Sequence, residues 1–153
     1  MYIERDFDDI LSPEDTERFL FGECDIFAYE IAKSTRLGIC AIIADGFTEE
    51  ISPDGDCSTY LDIVHCFAYR GEIDETGVCG IAVDARGVMN SPSWEDILEL
   101  YPQWRGRLDY ANPGYSSFSD AAGFSDFVGL GMIDLSEYTQ VMEAVLEVLD
   151  ENL

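Results

Sequence analysis

A thiol nucleophile, the base beside it and the acceptor that orients that base are ordinarily Cys, His and Asp. In this chain Cys24, His65 and Asp84 occupy places where each can act. Cys24 comes two residues after Gly22, at the predicted start of a helix, where unpaired N–H groups and the positive end of the helix dipole stabilise a thiolate. Its neighbours Glu23 and Asp25 oppose that effect. His65, the only histidine in the chain, alternates with Leu61, Ile63, Phe67 and Tyr69 along a predicted strand. A hairpin turning between Asp74 and Glu75 puts Asp84 directly across from it, with Cβ atoms about 5 Å apart. A bulge or a slip of one residue would send the two side chains to opposite faces. The resulting chemistry is attack of sulfur on an amide or related carbonyl, through a thioester. The same His and Asp also fit a plainer role, a core histidine whose ring proton is satisfied by an acid.

The elements that must position these residues are legible in part. Ser12-Pro13-Glu14-Asp15 is helix-start chemistry for a short helix reaching about Phe21. From Cys24 to about Thr35, Phe27, Ala28, Ile31 and Ala32 recur at helical spacing, with Gly38 as terminator. The apolar run 39–44 reads as a buried strand and residues 47–60 as an exposed loop. Two strands follow, about Tyr60 to Tyr69 and Val78 to Val83, as an antiparallel hairpin. Ser91-Pro92-Ser93 starts a short helix through Ile97, Leu98 and Tyr101. Residues 103–131 read as loops with one strand at most. Their aromatics, with Trp94 and Trp104, are core or loop anchors, or the lining of a cleft should that loop cover Cys24. Asp134 to Glu137 forms a capping box for a terminal helix whose core face carries Tyr138, Val141, Met142, Val145 and Leu149. The reading is a single α+β domain over residues 1–153.

The segments Gly22-Glu23-Cys24-Asp25-Ile26-Phe27-Ala28, His65 in its apolar strand, and Val83-Asp84-Ala85-Arg86-Gly87-Val88 resemble small papain-like cysteine proteins of bacteria and phages. The likeness covers about residues 12–100. It implies a Cys-bearing N-terminal helix packed on an antiparallel sheet, with Cys24 as nucleophile, His65 as the base that takes its proton and later protonates the leaving group, and Asp84 orienting His65. The backbone N–H of Cys24 would supply half of an oxyanion hole. Papain-like enzymes add a Gln or Asn shortly before the cysteine, where this chain has Arg18-Phe19-Leu20-Phe21.

Composition narrows the partners. Thirty-two acidic residues stand against eight basic ones, for a net charge of -24, so direct nucleic-acid binding is disfavoured and a basic protein or peptide is the expected partner. The charge supports a rival reading, a non-catalytic acidic inhibitor that mimics nucleic acid and occupies a basic partner's binding groove. Solubility or salt adaptation would use the same charge. The N-terminal stretch lacks signal-peptide character and no apolar run approaches a membrane span, so a cytoplasmic protein with no membrane partner is expected. Five cysteines without a C-x-x-C pair point to reduced thiols. No cofactor and no metal are expected. His65 and Cys66 would point to opposite faces of a strand, which makes them poor joint zinc ligands, and Asp54-Gly55-Asp56 lacks the ligand ladder of a calcium loop.

Overall fold

The computed structural model describes residues 3–7, 9–51, 57–104, 106, 108–128 and 136–152. The chain is α+β. Strands β1 (Ile3–Asp6), β2 (Gly38–Ile51), β3 (Cys57–Asp74), β4 (Gly77–Asp84), β5 (Gly87–Asn90) and β6 (Gly114–Phe118) form one antiparallel sheet in the order β1-β5-β4-β3-β2-β6. The helices are α1 (Pro13–Leu20), α2 (Cys24–Ser34), α3 (Trp94–Leu98), α4 (Ala121–Val128) and α5 (Thr139–Asn152).

Local chemistry explains where the helices begin. Ser12 accepts from the Asp15 N–H at 3.1 Å ahead of Pro13 in the first turn of α1. Ser93 and Asp96 exchange both bonds of a capping box at α3. Helix α2 ends at Ser34, before Gly38, and the Thr35 hydroxyl closes its last turn on the Ile31 carbonyl at 2.8 Å. In α5, Met142, Val145 and Leu149 are buried, as the periodicity requires. The capping box expected from Asp134 begins outside the described residues.

Alternation along the strands sorts their side chains into a core on each face. Ile39 and Ala41 of β2, Cys66 and Ala68 of β3, and Val83 of β4 meet α1, α2, α4 and α5. Cys40, Ile42, Ala44, Phe67 and Ala82 meet an aromatic layer with Trp94, Tyr101 and Tyr110. A sheet buried on both sides explains the continuous apolar run at 39–44. Val64 is an extra residue in β3 between the pairs Ile42↔His65 and Ile43↔Ile63, a bulge beside the histidine.

Three expectations are corrected. The supposed loop at 47–60 is largely strand: β2 runs to Ile51 and β3 begins at Cys57, paired as Thr48↔Tyr60 and Glu49↔Thr59. Region 103–131 holds a helix as well as a strand; α4 starts after Asp120, whose carboxylate caps the Gly123 N–H at 2.8 Å. The β3–β4 hairpin turns at Glu75 and Thr76 with Asp74 opposite Gly77, two residues away from the expected register. An even displacement keeps every side chain on its expected face, so Asp84 shares His65's face as a diagonal neighbour.

Gly71 and Gly80 face one another in this hairpin at φ +113° and +142°. A Cβ on either would lie 2.1 Å from the carbonyl oxygen of Cys79 or of Arg70. Gly80→Ala is therefore expected to lower unfolding stability by about 2 kcal/mol or more, through forced backbone movement and unfavourable φ. A urea midpoint within error of wild type would contradict this.

Candidate active site

Cys24 begins α2, directly after the turn in which Gly22 adopts φ +147°, a conformation that favours glycine. The N-cap residue Glu23 puts no side-chain oxygen on the first-turn N–H groups of α2. The two acids beside Cys24 are both restrained. Glu23 is turned onto Arg18, 2.7 Å from its Nε, and Asp25 accepts from the Ile26 N–H at 2.9 Å. Burial, and then the proximity of Cys24, push the Asp25 carboxyl upward.

His65, fully buried, places Nε2 3.0 Å from Asp84 Oδ2 and Nδ1 2.9 Å from the Tyr101 hydroxyl. Asp84 is 1% exposed and is gripped by Arg86, whose Nη2 lies 2.7 Å from Oδ2 and whose backbone N–H reaches Oδ1 at 2.9 Å. Arg86 also donates to the carbonyls of Asp96 and Ile97 at 3.2 and 3.0 Å, which ties the Asp84 turn to α3. Burial alone would raise the Asp84 pKa; Arg86 and His65 reverse this and hold the carboxyl far below the usual range. Burial would likewise make His65 neutral, but its bond to Asp84 and the nearby Cys24 sulfur raise it above an ordinary imidazole.

The thiol of Cys24, 9% exposed, has Cys66 and His65 as the neighbours that favour its ionised form. Cys66, opposed by burial and supported by His65, holds Cys24 well below the ordinary thiol range of about 8.5. Cys66, beside the Cys24 sulfur and itself buried, is raised. Of this coupled pair we assign the ionised sulfur to Cys24, which alone sits at a helix start. Cys24, Cys40, Cys66 and Cys79 are all free thiols.

Comparison with protein-family models, with curated proteins and with solved structures gives no match.

The three residues expected from sequence are thus brought together. Sequence reasoning missed Arg86 and Cys66, and saw Tyr101 only as a core position of its helix. Arg86 had a signal in the Asp-x-Arg spacing across a tight turn. Tyr101 had none, because its role depends on how α3 packs. Among the described residues no group of three or more His, Cys, Asp and Glu is arranged to hold a metal ion. Among them, also, no helix is long and apolar enough to cross a membrane.

Cys24 opens into a cleft of about 290 Å³ lined by Leu20, Phe21, Gly22, Asp25, Ile63, Val64, Tyr101 and Gln103. A second hollow of about 500 Å³, lined by Leu11, Pro13, Thr16, Glu17, Leu20 and Phe21, shares two of its walls. Phe21, 51% exposed, stacks edge-on against Tyr101 at the divide. None of Trp94, Tyr110, Tyr115, Phe118, Phe124 and Phe127 lines the cleft; Trp94 instead anchors the core, its indole N–H 3.0 Å from the Asp74 carbonyl.

Proposed function

We propose that this chain is a thiol-dependent acyl-processing enzyme of papain-like type, a peptidase, deamidase or acyltransferase. The observation that carries the reading is the junction of three elements: a helix start bearing Cys24 on the wall of an open cleft, a fully buried His65 whose proximity favours the Cys24 thiolate, and Asp84 bonded to Nε2 of that ring. In this scheme the Cys24 thiolate adds to the carbonyl carbon. The imidazolium of His65 gives its proton to the leaving group, and a thioester forms as the bond to that group breaks. Neutral His65 then takes a proton from water or an amine, which attacks the thioester and frees the sulfur.

Oxyanion stabilisation falls to the Cys24 backbone N–H, with the Gln103 amide at the cleft wall as second donor. Gln103 lies after the cysteine in sequence and stands in for the amide that papain-like enzymes place before it. The walls formed by Leu20, Phe21 and Val64 suit a neutral or apolar acyl group, and the net charge of -24 steers cationic proteins or peptides toward the molecule.

The test uses p-nitrophenyl acetate as a generic activated acyl donor. The expected result is a burst of nitrophenolate matching the enzyme in amount, with the acetyl group on Cys24 by peptide mass spectrometry. Both should vanish in Cys24→Ala. An absence of any Cys24 adduct, or a burst that survives Cys24→Ala, would overturn the proposal.

A further inference from the structure

The Tyr101 side chain, 2% exposed, reaches the site from the aromatic layer, on the sheet face opposite to α2. Its oxygen makes two short contacts, 2.5 Å to the Leu20 carbonyl and 2.9 Å to His65 Nδ1. A phenol has one hydrogen. The Leu20 carbonyl can only accept, and two oxygens at 2.5 Å require a hydrogen between them. The Tyr101 hydrogen is therefore spent on Leu20, and toward His65 the oxygen can only accept. Nδ1 must then carry a hydrogen of its own.

The opposite nitrogen leads to the same result. Nε2 faces Asp84, which Arg86 keeps ionised and which can only accept. With an acceptor at each end, the ring is satisfied only when both nitrogens are protonated. The groups around it are Asp84 and Arg86 from the β4–β5 turn, Tyr101 after α3, Cys24 of α2, and Cys66 on its own strand. Burial keeps the phenol itself neutral throughout the working range, since its pKa is pushed far upward.

We propose that Tyr101 is a positioning residue: by donating to the Leu20 carbonyl it becomes an obligate acceptor, fixes His65 as the imidazolium with Nδ1–H, and clasps the Cys24 loop to that ring. The inference goes beyond the acyl-transfer reading, because it concerns the resting proton on His65 whatever the substrate.

A chain with a single histidine makes the test direct, since ring-¹⁵N-labelled histidine reports His65 alone. At pH 7 the wild type should show two protonated ring nitrogens. Cys24→Ala should retain both, because the acceptors at Asp84 and Tyr101 remain. Tyr101→Phe in the Cys24→Ala background should lose the Nδ1 proton, leaving the Nε2–H tautomer on Asp84, and in the Cys24-containing protein it should move the low-pH edge of Cys24 alkylation upward. A purely structural tyrosine would alter stability without changing the tautomer.

A bare Nδ1 in wild type would overturn the inference without recourse to any variant, as would two protonated nitrogens persisting in the folded double variant Tyr101→Phe, Cys24→Ala. These failures are separable from failure of the enzymatic reading. If Cys24 reactivity proves independent of His65 while both ring protons are present, the acyl-transfer proposal falls and the role of Tyr101 stands.

Discussion

His65→Ala is expected to slow alkylation of Cys24 by iodoacetamide at least tenfold at pH 6, with the loss shrinking as pH rises. An unassisted thiol of pKa about 8.5 is only about 0.3% ionised at that pH. Removing the imidazolium takes away one of the interactions that hold Cys24 low, while burial, which favours the neutral thiol, remains. The more basic thiolate left behind is intrinsically more nucleophilic, which returns part of the lost rate. Wild type should show a rate nearly flat from pH 6 to 8. The variant should climb with pH over the same range. Peptide mass spectrometry resolves Cys24 from the exposed Cys79, which serves as the internal reference. Equal profiles in the two proteins would remove the basis for a thiol catalyst and favour the acidic binding protein, whose activity would ignore Cys24 and weaken with salt.

The second large effect is on stability. Asp84→Ala strands Arg86 and His65 in the interior without their shared carboxylate, and breaking a buried pair in this way costs about 3–5 kcal/mol. Against the total of about 5–15 kcal/mol usual for a domain, that loss is severe. Its pH dependence follows from the direction of each shift. Asp84 is depressed by folding, so its contribution is complete above the unfolded value of about 3.9 and is lost as pH falls through the lower folded value. His65 is raised, so its contribution is complete below about 6.5 and is lost as pH climbs through the higher folded value. Both are complete between about pH 4 and 6.5. The quantity to follow is the gap in urea-unfolding free energy between wild type and Asp84→Ala, because protonation of the acidic residues that both proteins share, all of the thirty-two except Asp84, changes both alike at low pH. A gap below about 1 kcal/mol at pH 5.5 would contradict the buried network.

The chemistry-bearing residues were easier to read than the frame around them. Cys24 was marked by a glycine and a helix start, His65 by being unique, and Asp84 by strand parity, which survives an even error in register. The strand pairing at 47–51 with 57–61 was hidden because acids, Gly and Pro dominate the local composition, whereas the pairing is made by backbone groups. Helix α4 was obscured by a run of Gly, Ser and aromatics without clear period, although Asp120 carried a usable cap. Tyr101 and Arg86 act across elements distant in sequence, and no local pattern encodes which helix will lie over which strand.

The facing glycines of the β3–β4 hairpin bear on the chemistry from a distance. In the register expected from sequence, Gly71 would lie across from Val78 and Gly80 across from Tyr69; in the one adopted, the two residues without side chains meet each other. Their close backbone approach selects one alignment among those that keep the same faces buried. That alignment sets Asp84 within bonding distance of the imidazole, six residues along β3 from Gly71. The two glycines act as the index mark by which one strand is set against the other, so a bulky side chain there would misplace the acid and weaken the thiol without touching either.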